Sequence, residues 1–380
     1  AETPSYTPLM TQQFQWVSDL YDELKSSMFI HTGELVNQPN QRNQWERIDE
    51  AYKMIEEADI PYIVITGNHD QQGTSTDDNA NYREFFPVSR LQAANPCWGG
   101  AYGDNYYYLM EENGMKVLIL AMGMKWEKDD IEWANTVLET YPDYFGILMV
   151  HDYLTVAGEV ELNSKYSDVK MLHDELVAVN DNIRLILCGH NHGANTNLEY
   201  FGDRPVYSIL ADYQSLAQGG SGYMRMLKFD VENDLIYVNT YSAYEDSTAY
   251  FTDQQAEKAG LYQLNKDEFV IQTDLGAETT RTLETASLKL SADVSSQIGE
   301  TQEITGSGVV SVEWTGLAPE QEYVWFAVVE DQAGNETKTG TMSFTVGTDR
   351  SALLSILEEA GAYTDLEKYT EATADTFRTA

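Results

Sequence analysis

Two histidines separated by a single residue, His190 and His192, follow a short apolar run in the chain. This run, residues 185–187, has the composition of a buried strand. Gly189 and Gly193 beside the histidines allow a sharp turn and leave space for a bound group. Imidazole is the commonest metal ligand at neutral pH. Taken alone, the two histidines are explained equally well by a metal site and by an ordinary turn.

Three more apolar runs end in residues of similar chemistry. Residues 28–30 precede His31 and Glu34, residues 62–65 precede Asn68, His69 and Asp70, and residues 147–150 precede His151. Open parallel sheets collect their ligand sites at the carboxyl ends of the strands. Of the six histidines in the chain, only His173 lies outside these four stretches. The pattern therefore predicts one polar centre at a sheet edge. His31 and His173 are expected to be structural or surface residues.

The intervening segments predict the elements that position this centre. Apolar residues at helical spacing indicate helices over 14–24, 43–58, 131–138 and 168–180. Residues 106–109 and 116–120 indicate a hairpin, and residues 206–210, 224–229 and 235–238 indicate antiparallel strands of a second sheet. Residues 71–105 are expected to form a long loop, in which Trp98-Gly99-Gly100 is a candidate wall of a substrate cleft. The predicted fold class is α/β, with two sheets packed as a sandwich and helices outside.

These motifs resemble the calcineurin-like metallophosphoesterases. The similarity rests on Gly33-Glu34…Asn37, Gly67-Asn68-His69-Asp70, His151 and Gly189-His190-Asn191-His192, and it covers about residues 2–245. The motifs stand in the family's order and at family-like spacing. Smaller similarities at residues 98–100, 133–135 and 210–214 resemble the secreted bacterial branch. The resemblance implies an αββα sandwich that hydrolyses phosphomono- or diesters through a metal-activated hydroxide.

The resemblance also implies a ligand set. Asn68, His151 and His190 would hold one metal, His192 would help to hold the other, and Glu34 would bridge them in place of the family's aspartate. Mixed nitrogen and oxygen ligands suit divalent Fe, Mn, Zn or Ni.

His69 would be the general acid for the leaving alkoxide, and Asp70 would orient its ring.

Two positions depart from the family's pattern. Glu2-Thr3-Pro4 stands where a first strand would end in an Asp-x-His or Asp-x-Gln element. Glu2 is a candidate ligand, but proline has no side-chain donor atom. Glu34 carries one methylene more than the aspartate it replaces. The family holds two metals, and these departures predict about one here, with impaired activity. They leave open an alternative, a catalytically degenerate cell-surface binding or structural module of the same fold.

The amino-acid composition limits the kinds of partner and environment that the chain is expected to have. The formal net charge of −39 argues against a basic nucleic-acid-binding surface. Two cysteines, Cys97 and Cys188, do not make a disulfide framework. No stretch is long and apolar enough to span a membrane. The acidity and the opening on Ala1 predict a processed or excised segment located outside the cell or on its surface.

The pattern changes along the chain and predicts three regions. Residues 1–275 would form the metallophosphoesterase domain without the family's first strand. Residues 280–347 alternate apolar and polar positions and resemble a fibronectin type III-like β-sandwich. Residues 348–380 have a helical pattern that resembles the start of a repeat found on bacterial surface proteins. The last two regions would contact cell-wall or surface glycans.

Overall fold

The computed structural model describes residues 7–73, 79–248, 262, 264–276, 296–298, 311–330, 336–338 and 342–346. The chain divides into two units, Ala1–Thr282 and Leu283–Ala380. Among the described residues, no helix has both the length and the apolar character that a membrane span requires.

The first unit has eight described helices. They are α1 (Thr7–Leu24), α2 (Arg42–Glu57), α3 (Ala80–Phe85), α4 (Val88–Ala93), α5 (Lys128–Thr140), α6 (Val169–Leu172), α7 (Ala217–Gly220) and α8 (Leu264–Asp267). A 3-10 turn covers Asn68–Asp70, and a π-turn, His173–Val177, extends α6. The predicted helices at 14–24, 43–58 and 131–138 correspond to α1, α2 and α5.

Twelve strands are described in the same unit. They are β1 (Phe29–His31), β2 (Tyr62–Val64), β3 (Trp98–Tyr102), β4 (Asn105–Glu112), β5 (Met115–Ala121), β6 (Phe145–Met149), β7 (Ile183–Cys188), β8 (Gly193–Phe201), β9 (Arg204–Asp212), β10 (Tyr223–Asp230), β11 (Leu235–Ser242) and β12 (Phe269–Gln272). Seven of them form a mixed sheet in the order β3-β4-β5-β6-β7-β9-β8. A parallel pair, β1-β2, and an antiparallel sheet, β10-β11-β12, make up the rest.

The centre of the large sheet is parallel. Strands β5, β6, β7 and β9 pair in parallel, while β3-β4, β4-β5 and β8-β9 are antiparallel. Residues 206–210 therefore lie in the large sheet beside β7, and their predicted place in an antiparallel second sheet is wrong. The reason is their apolar composition, since parallel strands are buried on both faces and lack a clear alternation.

Successive side chains of the large sheet enter two different cores. In β5, Ile119 belongs to a core shared with α2, β2 and β11, whereas Leu118 and Leu120 belong to a core shared with α5 and α6. Both faces of the sheet are thus covered, as in a layered α/β fold. The predicted α/β fold class is confirmed, and the structure shows that its large sheet is mixed.

The segment that follows Asp70 differs from its prediction as a loop. It contains α3, α4 and β3. Tyr82 and Phe86 are four residues apart and both are buried, and Leu91 is buried in the next helix. Helical spacing of these apolar residues, hidden among many polar ones, explains why the segment packs as two short helices.

A buried ion pair attaches α8 to the strand β10. Arg225 Nη2 lies 2.6 Å from Asp267 Oδ1, which also accepts a hydrogen bond of 2.6 Å from the Tyr213 hydroxyl. The Thr240 hydroxyl donates to the Asp267 carbonyl at 3.0 Å. Burial raises the pKa of the Asp267 carboxyl to about 6, although Tyr213 and Arg225 oppose the shift. The network ties residues near the end of the first unit to β10 and β11.

The second unit is described only in part. It contains β13 (Glu322–Trp325) paired with β16 (Met342–Thr345), and β14 (Val328–Glu330) paired with β15 (Glu336–Lys338). Trp314 contacts the rings of Tyr323 and Phe344 at centroid distances of 5.2 and 5.6 Å. The fibronectin type III-like module stays a prediction, and the helical segment at 348–380 lies outside the described residues.

The ion pair yields a stability prediction. Replacing Asp267→Ala should lower the free energy of unfolding by about 3–5 kcal/mol, because it leaves the Arg225 guanidinium buried without its partner. Arg225→Leu should cost less, since the remaining carboxyl can be neutralised by taking up a proton. Urea unfolding in the presence of a chelator measures both. Lys128→Ala, which removes an exposed pair with Glu132, serves as a control with little expected change. Equal costs for Asp267→Ala and Lys128→Ala would contradict the role given to this pair.

Candidate metal centre

Most of the predicted ligands meet at one edge of the first unit. Glu34 follows β1, Asn68 follows β2, His151 follows β6, and His190 and His192 follow β7. Both groups of strands, β1-β2 and β5-β6-β7-β9, are parallel. Their carboxyl ends therefore present loop residues at the same place.

A first group consists of Glu34, His151 and His190. One ligand atom from each residue lies within 4.8 Å of the others. Asn68 completes the group, because its Oδ1 is 3.0 Å from His151 Nε2. Glu34 Oε1 is 3.5 Å from the same nitrogen. The structure thus brings together the four residues that the sequence assigned to one metal.

A backbone contact orients the buried ring of His151. Its Nδ1 lies 2.8 Å from the Thr32 carbonyl oxygen. Donation to this carbonyl places the proton on Nδ1 and leaves the lone pair on Nε2, which faces Asn68 and Glu34. Such a second contact commonly fixes the tautomer of a histidine that binds metal.

The first group has the ligand atoms of a cation site. The Glu34 carboxylate, Asn68 Oδ1 and the neutral His151 Nε2 are all acceptors, and they repel one another unless a proton or a cation lies among them. His190 Nδ1 is buried and has no hydrogen-bond partner among the described residues. A buried polar atom without a partner is costly. A metal ion that accepts these lone pairs would satisfy all four side chains, so the residues fit the group.

Without a metal, a proton shared between Glu34 and His151 relieves the repulsion between their acceptor atoms. Burial alone would raise the pKa of Glu34, but its hydrogen bond and the charge of His151 outweigh burial and lower it. Burial alone would lower the pKa of His151, but Glu34 outweighs burial and raises it. A metal bound here must displace this proton, so affinity should weaken at acidic pH.

A second group consists of Glu34, His192 and Asp212, again with ligand atoms within 4.8 Å of one another. Asp212 is the last residue of β9 and pairs with Gly193, the residue after His192. Burial raises the pKa of the Asp212 carboxyl, while the Gln214 N–H and His192 oppose the shift. Glu34 is common to both groups.

Sequence reasoning missed Asp212 as a ligand. The signal was present, because Asp212 follows the apolar residues Ile209 and Leu210 just as His151 follows an apolar strand. The wrong assignment of residues 206–210 to another sheet concealed it. With Asp212, the second group reaches three protein ligands, the number typical of catalytic metal sites. The prediction of about one metal rested on too few ligands for the second ion, and Asp212 supplies the ligand that was lacking. Glu2 lies outside the described residues.

The backbone is strained at two ligands. Glu34 has φ 59° and His190 has φ 66°, in the left-handed region that side chains other than glycine rarely adopt. Such residues cost of the order of 1–3 kcal/mol each and cluster at functional sites. A Cβ on Gly67 would lie 2.6 Å from Glu34 N, and one on Gly33 would lie 2.7 Å from His151 Nδ1. Only glycine permits this approach of the loops.

The predicted role of Asp70 is wrong. Its buried carboxylate accepts hydrogen bonds from the N–H groups of Gly67 at 2.7 Å and Val36 at 2.9 Å. His69 is instead held by the Asn37 carbonyl oxygen, 2.9 Å from Nδ1. Asp70 therefore joins the two loops that carry Glu34 and Asn68. Burial raises its pKa to about 6 against the effect of these backbone donors.

The remaining histidines behave as structural residues. His31 Nδ1 lies 3.2 Å from the Tyr52 hydroxyl, and burial lowers the pKa of His31 to about 4. His173 contacts Asp174 at 2.7 Å and Glu199 at 3.4 Å.

Trp98 packs against Tyr106 and Tyr108 in the sheet. The expected place of Trp98-Gly99-Gly100 in a cleft wall is not seen in the cavity beside the ligands. That cavity has a volume of about 290 Å³ and is lined by Glu34, His151, Asp212 and apolar residues of α1.

Comparisons with known proteins point to a family for part of the chain. Residues 11–194 match the family model described as calcineurin-like phosphoesterase. This match supports a domain of that family in this part of the chain, and proteins of the family use divalent metals. An uncharacterized protein of Bacillus subtilis (strain 168), YvnB, is 31% identical over 350 residues. The alignment covers 90% of this chain but 26% of that protein, so the chain spans about a quarter of its relative's length.

Two solved structures are similar at low identity. A dimetal phosphatase from Danio rerio has a TM-score of 0.45 and 8% identity, covering 61% of this chain and 86% of that one. A protein of Thermus thermophilus has a TM-score of 0.38 and 12% identity, covering 64% of this chain and 96% of that one.

The geometry predicts which histidine binds metal. His190→Ala should raise the dissociation constant of the bound metal by at least about 100-fold, because loss of outer contacts alone costs 10–100-fold. His173→Ala is the matched control and should leave metal binding unchanged, since its ring contacts Asp174, Glu199 and Phe201, none of which belongs to a ligand group. Isothermal titration with Mn²⁺ measures both variants. Loss of metal from His173→Ala but not from His190→Ala would contradict the site.

Proposed function

We propose that the domain matched by the calcineurin-like phosphoesterase model, residues 11–194 together with β9, hydrolyses phosphomono- or diesters with the help of two divalent metal ions. The observation that carries this proposal is the pair of ligand groups that share Glu34. One carboxylate common to two groups of nitrogen and oxygen ligands suits a pair of neighbouring metal ions, which two-metal hydrolases use. The family match supports the reaction class.

The side chains divide into two holding sets. Glu34, Asn68, His151 and His190 would hold one ion, and Glu34, His192 and Asp212 would hold the other. When bound, such a pair of ions supplies a hydroxide nucleophile near neutral pH and stabilises the charge of the phosphoryl group. The mixture of imidazole, amide and carboxylate ligands favours Fe, Mn, Zn or Ni.

In this proposal, His69 protonates the leaving group. Its side chain is 42% exposed, and its Nε2 lies 3.9 Å from Glu34 Oε1, at the edge of the first group. The Asn37 carbonyl oxygen near Nδ1 fixes the ring, so that Nε2 faces the site. A protonated ring can therefore deliver its Nε2 proton to a departing alkoxide. Its position beside the metal ligands, instead of among them, suits this role.

The alternative of a catalytically degenerate binding or structural module rested on too few ligands for the second metal. Asp212 weakens that argument, because it supplies a carboxylate that the sequence pattern did not provide. The longer side chain of Glu34 is compatible with the proposal, because its carboxylate lies within 4.8 Å of the ligand atoms of both groups.

We also propose that the chain acts outside the cell or at a bacterial cell surface. Its net charge of −39 supports this location. Residues 280–347, as a fibronectin type III-like module, and residues 348–380, as a helical repeat segment, would contact cell-wall or surface glycans. Pull-down of the purified chain with isolated cell walls, compared with residues 1–275 alone, tests this role.

Asp212 gives a test of the second metal. Asp212→Asn should reduce tightly bound metal from about two ions to about one per chain and slow hydrolysis, because the second group keeps only two charged or imidazole ligands. Asp181→Asn, at a fully exposed aspartate, is the matched control. Elemental analysis after gel filtration gives the counts. Two retained ions in Asp212→Asn would remove Asp212 from the ligand set.

His69 gives a test of the acid. His69→Ala should leave the metal content unchanged and slow esters with poor leaving groups by roughly 10²–10⁴-fold. Aryl esters such as p-nitrophenyl phosphate should be affected much less, because their leaving groups need little protonation. Steady-state rates for alkyl and aryl substrates measure the difference. An equal loss on both substrate types would exclude His69 as the acid.

A further inference from the structure

Tyr166 stands next to a candidate metal ligand. Its ring centroid is 4.6 Å from that of His190, with an interplanar angle of 68°. The residue is 48% exposed. Among the described aromatic residues with more than a third of their surface exposed, Tyr166 is the one whose ring contacts a candidate ligand. An exposed aromatic ring therefore lies at the rim of the metal centre.

Hydrogen bonds to a buried carboxylate fix the loop that carries Tyr166. The buried carboxylate of Asp152, directly after His151, accepts hydrogen bonds from the hydroxyls of Ser164 and, at 3.2 Å, Ser167. The Ser164 hydroxyl in turn accepts the Tyr166 N–H at 3.1 Å. Tyr166 is thus held on both sides in the sequence by the same buried group.

Two more contacts fix the two ends of the loop. Asn191, between His190 and His192, donates from Nδ2 to the Leu154 carbonyl at 2.8 Å. Asp168 closes the loop, because its side chain accepts the Met171 N–H at 2.9 Å and caps α6. Fixed attachment costs little conformational entropy on binding, which is the property of a preorganised recognition surface.

We propose that Tyr166 is a specificity-determining residue that stacks on an aromatic group of the substrate, so that the preferred phosphoesters carry a nucleobase or another aryl ring. The proposal rests on the proposed function. Because the Tyr166 ring lies 4.6 Å from the His190 ring, an ester substituent of a phosphoryl group held beside His190 would extend next to Tyr166. Tyrosine offers a rigid apolar face at low entropic cost, and stacking of a base on an aromatic side chain tolerates any base.

A packing role is the alternative. In that case Tyr166 only supports the His190 ring, and its removal would lower metal affinity and the turnover of every substrate equally. A recognition role affects only substrates that carry a ring. The two roles therefore differ in a ratio between two substrates, measured on one protein.

AMP and ribose 5-phosphate provide that ratio, since they share the sugar, the phosphate and the leaving alkoxide and differ in the base. With the Mn²⁺-loaded full chain, kcat/KM should be about 5- to 150-fold higher for AMP, the range that stacking of one base provides. Tyr166→Leu should reduce this ratio to near one and leave the rate for ribose 5-phosphate within about twofold. Tyr166→Phe should keep the ratio, and Tyr200→Ala, at a 66% exposed tyrosine in β8, should change neither rate.

The outcomes separate this inference from the proposed function. Equal rates for AMP and ribose 5-phosphate in the unmodified chain, with p-nitrophenyl phosphate still hydrolysed, would overturn the role of Tyr166 alone. So would a loss of Mn²⁺ affinity in Tyr166→Leu with both rates reduced equally. If the Mn²⁺-loaded chain neither hydrolyses nor binds any of the three phosphoesters, the proposed function is wrong and this inference with it.

Discussion

The first unit brings several acceptor atoms together at one point, where they require a shared proton or a cation, and this is the constraint on which the rest of the site depends. His151 Nε2 lies 3.0 Å from Asn68 Oδ1 and 3.5 Å from Glu34 Oε1. The buried Nδ1 of His190, which has no hydrogen-bond partner among the described residues, belongs to the same group. Four side chains with this chemistry meet only if the folded structure holds them there or a cation compensates them. The packing of the parallel strands holds the side chains there, because burial of the large sheet on both faces fixes the position of each strand end.

This arrangement strains the backbone at two of the ligands. Glu34 and His190 occupy left-handed conformations, and Gly33 and Gly67 remove the Cβ atoms that would separate the loops. Asp70 then stabilises the arrangement, because its carboxylate accepts N–H groups from both loops. Residues beside the ligands thus hold the ligand loops in position, as outer contacts commonly do at metal sites.

Much of this centre was predictable from the sequence, because its residues follow apolar runs directly. Strand ends are short-range features, and parallel strands gather them without further information. The hydrogen-bond partner of His69 was not predictable, since it is the carbonyl of Asn37, a group that every residue possesses. Asp212 was missed for a different reason. The strand before it has no alternation, so nothing local showed whether residues 206–210 join the large sheet or a second one. The helices at 80–93 were hidden by polar residues between Tyr82, Phe86 and Leu91.

Glu34 as a shared ligand is the central claim, and anomalous diffraction from crystals of the Mn²⁺-loaded chain tests it most directly. The account predicts two anomalous peaks about 3.5–4 Å apart, with the Glu34 carboxylate in contact with both, His190 beside one and Asp212 beside the other. A single peak would contradict it, and so would two peaks of which Glu34 touches only one.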